Sequence, residues 1–137
     1  MKKMLILLAA ITIVMNCNAQ KDIPATVKST FQKQYPDIKK VKWEKEQNNY
    51  EASFETNEIN HSVLIDASGK IVETEVEINL EALPTSVKDY VAKNYAGNKI
   101  KEAAKITDAN GAVTYEAEVK GKDLLFDSNG VFIKESK

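Results

Sequence analysis

An internal duplication constrains this chain more than any other feature. IPATVKSTFQKQY at 23–35 is answered by LPTSVKDYVAKNY at 83–95, an offset of 60 residues. NYEASFE at 49–55 is answered by TYEAEVK at 114–120, an offset of 65, and DASGKI at 66–71 by DSNGVF at 127–132, an offset of 61. The changing offset places an insertion before the second YEA and a shortening after it, and loops tolerate such changes best. Any fold for this chain must therefore accommodate two related units.

Each unit opens with an amphipathic helix. Val27, Phe31 and Tyr35 recur every four residues and share one stripe, as do Val87, Val91 and Tyr95. Pro24 and Pro84 suit the first turn, where a missing backbone donor costs little, and Pro36 or Gly97 marks the exit. These stripes read as core contacts.

After each helix the period falls to two. VKWEKE from Val41 sets Val41 and Trp43 against Lys42 and Glu44. NYEASFE sets Tyr50, Ala52 and Phe54 against Glu51, Ser53 and Glu55, and HSVLID and IVETEVEI continue the extended pattern. The second unit supplies KIKEAAKIT, AVTYEAEVK, KDLLFD and VFIKE. The expected fold class is α+β, with tandem repeats of one helix plus a four-stranded antiparallel sheet and the helices covering one sheet face. One eight-stranded sheet and two adjacent four-stranded sheets both satisfy the pattern. Charged residues near VFIKE would protect an open edge.

MKKMLILLAAITIVMNCNAQ joins two lysines to an apolar run and small residues, the pattern of a secretory signal. The expected domains are a signal peptide at 1–19, a first repeat at 20–80 and a second at 81–137, with a periplasmic or secreted destination. Retention as an anchor, or lipid attachment at Cys17, is the alternative. Cleavage after Ala19 removes the only cysteine, so core packing alone must stabilise the 118 residues left. It also moves the formal charge from −1 to −3. The sequence contains no arginine, and its lysines and glutamates alternate instead of forming a basic stripe, which argues against nucleic-acid binding.

The chemistry-bearing residues form no recognisable catalytic set. Glu51 and Glu116 repeat, but alternation assigns them to a charged, solvated sheet face, whereas an acid catalyst needs a partly dry cleft. His61 has no second histidine or retained cysteine with ligand spacing, and Ser62 and Asp66 cannot form a triad with it because neighbouring strand residues point apart. No catalytic, cofactor-binding or metal residue is expected. Trp43, Tyr50 and Tyr115 are the candidate partner-binding aromatics, although their phase favours core packing.

DASGK at 66–70, DANGA at 108–112 and DSNGV at 127–131 invite comparison with calcium loops. Each offers one assured carboxylate, and the longer D-x-[DN]-x-[DN]-G pattern is absent. Apolar extended segments on both sides favour hairpin reversals, with Asp bonding its own backbone and Gly in the left-handed region. DANGA then marks an expanded hairpin in the second unit.

The paired openings IPATVKSTFQKQYP and LPTSVKDYVAKNY, with VKWEKEQNNYEASF, DASGKIVETEVEI and TYEAEVKGKDLLFDSNG, resemble the PepSY-like, β-lactamase-inhibitor-like family of exported Bacteroidetes-type proteins. The resemblance covers about residues 23–136 and implies tandem modules, helical cover on an antiparallel sheet, and an extracytoplasmic location. The broad face and exposed edges of an exported, duplicated sheet suit protein binding or peptide addition, so the expected function is a non-enzymatic interaction or inhibitory module with a protein or peptide partner in the cell envelope. The resemblance transfers no inhibitory residue to a position here, and the disulfides of secreted β-lactamase inhibitors have no counterpart. The alternative is a periplasmic binder of a small molecule or envelope component, using a groove between the repeats near Trp43, Tyr50 and Tyr115.

Overall fold

A computed structural model describes residues 22–136. The expected leader at 1–19 and Cys17 lie outside the described residues. Helix α1 spans Ala25–Gln34 and precedes strands β1 (Lys42–Glu46), β2 (Asn49–Thr56), β3 (Ile59–Asp66) and β4 (Ile71–Glu77). A short 3-10 turn, Leu80–Ala82, leads into helix α2 (Thr85–Asn94). Strands β5 (Ile100–Asp108), β6 (Val113–Val119), β7 (Lys122–Asp127) and β8 (Phe132–Ser136) follow.

Local chemistry sets the helix ends. Pro24 and Pro84 sit just before the helices and not inside their first turns, with φ of −56° and −53° and extended ψ. Proline has no N–H to leave unsatisfied there, while its carbonyl accepts a bond from Lys28 N–H at 3.1 Å or Val87 N–H at 3.0 Å. At the other end Tyr35 and Tyr95 close the last turns on the carbonyls of Phe31 and Val91, both at 2.8 Å.

The eight strands form one antiparallel sheet in sequence order, β1 to β8. The two-sheet arrangement that the sequence left open does not occur, and the four-stranded units expected from it are joined. β4 pairs with β5 from Glu73↔Asp108 to Glu77↔Ala104, so the backbone groups that a separate sheet would leave at an edge are paired inside the sheet.

Both helices lie on the same face. Val27 and Phe31 of α1 pack with Trp43, Ala52, Phe54, Val63 and Ile65. Val87 and Val91 of α2 pack with Ala103, Ala117, Val119, Leu124 and Phe126. Phe31 meets Trp43 and Phe54 edge-on at 5.5 and 5.3 Å, whereas in the second cluster Tyr90 meets Phe126 edge-on at 5.4 Å and stacks on Phe132 at 4.6 Å.

The three D-x-x-G segments are hairpin turns. In each, the Gly N–H bonds back to the Asp carbonyl, at 3.0 Å for Gly69 and Gly111 and 2.9 Å for Gly130, and each glycine has positive φ. Two of these turns also hold a helix down. Thr30 Oγ1 donates to the Gly69 carbonyl at 2.7 Å, and Ser86 Oγ to the Asn129 carbonyl at 3.1 Å. A Cβ at Gly130 would collide with the Ser86 hydroxyl, whereas one at Gly111 would meet nothing within 4 Å. The β2–β3 connection is a two-residue reversal at Asn57 and Glu58, both with positive φ, which is the geometry that matches the strand twist.

Candidate functional site

Strand register defines what the other face of the sheet carries. One row across it runs Lys42, Ser53, Ser62, Glu75, Ile106, Thr114 and Asp127. The next runs Glu77, Ala104, Glu116, Leu125 and Lys134. On the opposite flank Glu44, Glu51, Leu64, Glu73 and Asp108 align. Among the described residues no helix covers these rows.

This face is not the uniformly solvated surface expected from alternation. Glu75 is only 4% exposed and Glu116 8%, and Leu64, Ala104 and Ile106 beside them are buried too. With no covering layer, the strands shield one another. The assignment of Glu116 to a solvated face is therefore corrected: its alternation holds, but it and Glu75 occupy central strands, Glu75 between Ser62 and Ile106 and Glu116 between Ala104 and Leu125, whose flanking rows carry long side chains. Glu51, the other repeated acid, is half-buried.

The carboxylates differ in how they are satisfied. Glu77 Oε2 accepts from the Asn60 side-chain amide at 2.7 Å and its backbone N–H at 3.3 Å, and Glu51 Oε1 accepts from Ser53 Oγ at 2.9 Å. Glu75 Oε2 is buried with no hydrogen-bond partner. Burial first, then the negative charges of Glu116, Glu51, Glu73 and Asp123, push the Glu75 carboxyl up to about 9. Burial and the carboxylates of Asp123, Glu73 and Glu118 push Glu116 up to about 8. Burial, with Glu46, Glu51 and Asp108, pushes Glu73 up to about 7. Every charge acting on these three groups is negative, so each retains its proton at a pH where an ordinary carboxylate is ionised.

The lysines that face this side stand toward its borders. Lys42 pairs with Glu44 at 2.7 Å on edge strand β1, and Lys101 approaches Glu118 at 3.5 Å near the β5 bulge. Lys134, opposite Leu125, stands on edge strand β8. Lys122, which meets Glu135 at 2.6 Å, lies on the helix-covered face, opposite Val119, where Glu135 also accepts from the Tyr95 hydroxyl.

The residues singled out from sequence fall elsewhere. Trp43, 6% exposed, sits in the α1 core, with Tyr50 half-buried against the same cluster. Tyr115 packs against the α2 cluster, so the fold does not bring the three aromatics into one groove. His61 stacks on Phe54 at 5.1 Å and its Nε2 lies 3.0 Å from Thr56 Oγ1; burial lowers its pKa. The aspartates of the three turns use Oδ1 for their own loops: Asp66 accepts from the Ser68 and Lys70 N–H groups at 2.9 and 3.0 Å. Asp108 and Asp127 each accept two backbone N–H bonds in the same positions.

Sequence reasoning missed Glu75 and the burial of Glu116. The available signal was a break in alternation: Val63-Leu64-Ile65, Ala103-Ala104 and Leu124-Leu125-Phe126 are consecutive apolar residues, which mark strands buried on both faces.

The chain belongs to the family described as "Putative beta-lactamase-inhibitor-like, PepSY-like", whose model matches residues 16–73 and 61–134. Among solved structures, a protein of Bacteroides eggerthii described as a putative periplasmic protein superposes with a TM-score of 0.74 at 16% identity, over 82% of this chain and 87% of that one. A Bacteroides uniformis protein of the DUF2874 family gives 0.72 at 22% identity over the same shares. A BLIP-like protein of Bacteroides fragilis gives 0.60 at 23% identity, over 82% and 84%. A search of curated proteins finds no match. Identities this low establish the shared fold. No helix among the described residues is long and apolar enough to cross a membrane.

Proposed function

We propose that the protein is a non-enzymatic, extracytoplasmic interaction module, inhibitory or scaffolding, that meets a protein partner on the helix-free face of its sheet. It acts in the periplasm or after secretion, following removal of residues 1–19, and its two helix-plus-four-strand segments are tandem copies of one PepSY-like unit. The observation that carries the reading is Glu75: a buried carboxyl with an unpartnered oxygen on a face that no helix covers among the described residues. Such a group costs free energy in the isolated molecule, and a partner that supplies the missing contact recovers it. Descriptions of the neighbours as periplasmic and BLIP-like agree with an extracytoplasmic binding role.

Site-specific photo-crosslinking in the native envelope tests this. A crosslinker replacing Ser53 or Thr114, on the bare face, should give a saturable protein adduct, and one replacing Asp89 on α2 should not. Adducts only from Asp89, or none that saturate, overturn the reading. A panel of β-lactamases assayed with excess protein tests the narrower role: hydrolysis that stays unchanged removes β-lactamase as the target.

A further inference from the structure

Among the described residues the sheet has two open backbone edges, β1 and β8, and they differ in what they accept. β1 is regular: Lys42 to Glu46 pair with β2 without a register shift. Because β2 lies on one side of it only, alternate residues of β1 turn their N–H and C=O groups outward with no strand to receive them. β5 holds the same place in the second unit, since Trp43 faces Ala52 as Ala103 faces Ala117, and the equivalent edge of β5 is paired with β4. β8, by contrast, is interrupted by a bulge against β7 at Leu125/Phe126. A regular, unpaired edge accepts a further strand, and charge decides which one.

We propose that β1 pairs antiparallel with β1 of a second copy of this chain, about a two-fold axis through Trp43. KKVKWEKE, residues 39–46, is complementary to itself in that register. Trp43 falls opposite its own copy, Lys42 opposite Glu44 and, one step further out, Lys40 opposite Glu46, so each charged pair on the helix-free side joins opposite signs. The Lys42 and Glu44 side chains are 61% and 59% exposed, free to exchange their 2.7 Å contact within one chain for contacts across the axis. Lys40 is exposed and has no acidic partner of its own among the described residues. β8 offers no such register: beyond its bulge, a copy centred on Lys134 or Glu135 sets like charges opposite each other. The helices leave room for the contact. α1 packs over β1, β2 and β3, so two copies of it stand three strand spacings apart, about 14 Å, against roughly 8–10 Å for helices in contact. Trp43 contributes its backbone and keeps its side chain in the core. The pair presents both bare faces on one side of a continuous sheet. The inference goes beyond the interaction reading and does not depend on it.

So short an edge implies reversible association, and sedimentation equilibrium from about 10 μM to about 1 mM should show a monomer–dimer equilibrium. Amide exchange slowed at high concentration should centre on β1 and leave β8 unaffected. Lys42→Glu sets carboxylates against carboxylates across the axis, and Glu44→Lys sets ammonium groups against ammonium groups. Each alone should weaken self-association about tenfold or more, and an equimolar mixture of the two should restore it, because every charge then meets its opposite. No contact within one chain produces that rescue. The paired swap Lys42→Glu/Glu44→Lys should associate like the parent, and Lys134→Glu on β8 should change nothing. Both exchanged side chains are exposed, and melting curves verify that each variant is folded. A monomer throughout the range, dimers that persist in both single variants, a mixture that stays monomeric, or protection centred on β8 each overturn the proposal.

Discussion

The two faces of the sheet remove side chains from water by different means. On the covered face, apolar groups meet the helices: Phe31 between Trp43 and Phe54, and Tyr90 against Phe126 and Phe132. On the bare face, Glu75 at 4% exposed and Glu116 at 8% bracket Trp43 at 6%, yet among the described residues no layer lies over them. The first kind of burial stabilises the fold at about 25 cal/mol per Å² of apolar surface. The second opposes it, because a desolvated carboxylate among others must hold a proton. A fold that retains such acids in its central strands draws its stability from the other side.

The covered face should give the largest effects. Phe126→Ala and Trp43→Ala should each destabilise the protein by roughly 3–5 kcal/mol in denaturant titrations. Because β4 and β5 join the halves, both variants should still unfold in one transition; separate transitions would show that the halves are energetically independent.

The bare face should respond with the opposite sign. A carboxyl whose folded pKa lies above its unfolded value stabilises the fold below the unfolded pKa, and that contribution is lost as pH rises through the folded value. For Glu73, Glu75 and Glu116, raised to about 7, 9 and 8, the losing window runs from the ordinary carboxylate range to about pH 9. The melting temperature should therefore fall between about pH 5 and about pH 9. Glu75→Gln/Glu116→Gln should flatten that profile and stabilise the protein by roughly 2 kcal/mol at about pH 8.5, since a tenfold difference in proton affinity between folded and unfolded chains is worth up to ~1.4 kcal/mol. An unchanged profile would mean that these groups are hydrated in solution.

The turns that tie helices to the sheet should come next. Gly130→Ala meets both positive φ and the Ser86 hydroxyl, and should cost about 2 kcal/mol. Gly111→Ala has the positive φ with open space around it and should cost about 1 kcal/mol. Equal losses would show that the Ser86 side chain simply rotates away. Smallest of all, Tyr95→Phe removes the hydroxyl bond to Glu135 and should cost about 1 kcal/mol or less by thermal melting.

Much of the layout was legible in the residues. The stripes Val27-Phe31-Tyr35 and Val87-Val91-Tyr95 identified the helices and their buried faces, because four-residue spacing admits one common side. The D-x-x-G segments identified three reversals through the backbone bonds that Asp accepts and the positive φ that Gly permits. The site was far less legible. Alternation of apolar and polar residues assigns Glu75 and Glu116 to the polar side correctly, but exposure on that side depends on which residues stand on the strands beside them.

Local periodicity, turn chemistry and helix punctuation are carried by neighbours a few residues apart, so the sequence by itself determined the elements, their order and the face each side chain takes. Only the tertiary structure decided that β4 joins β5 into a continuous sheet, and that Ser62, Ile106 and Ala104 close around two glutamates. Both outcomes depend on pairing between strands distant in sequence, as Glu75 meets Ile106. No local rule encodes such a partner, and the free energy of a carboxylate is set by that partner's size, charge and distance.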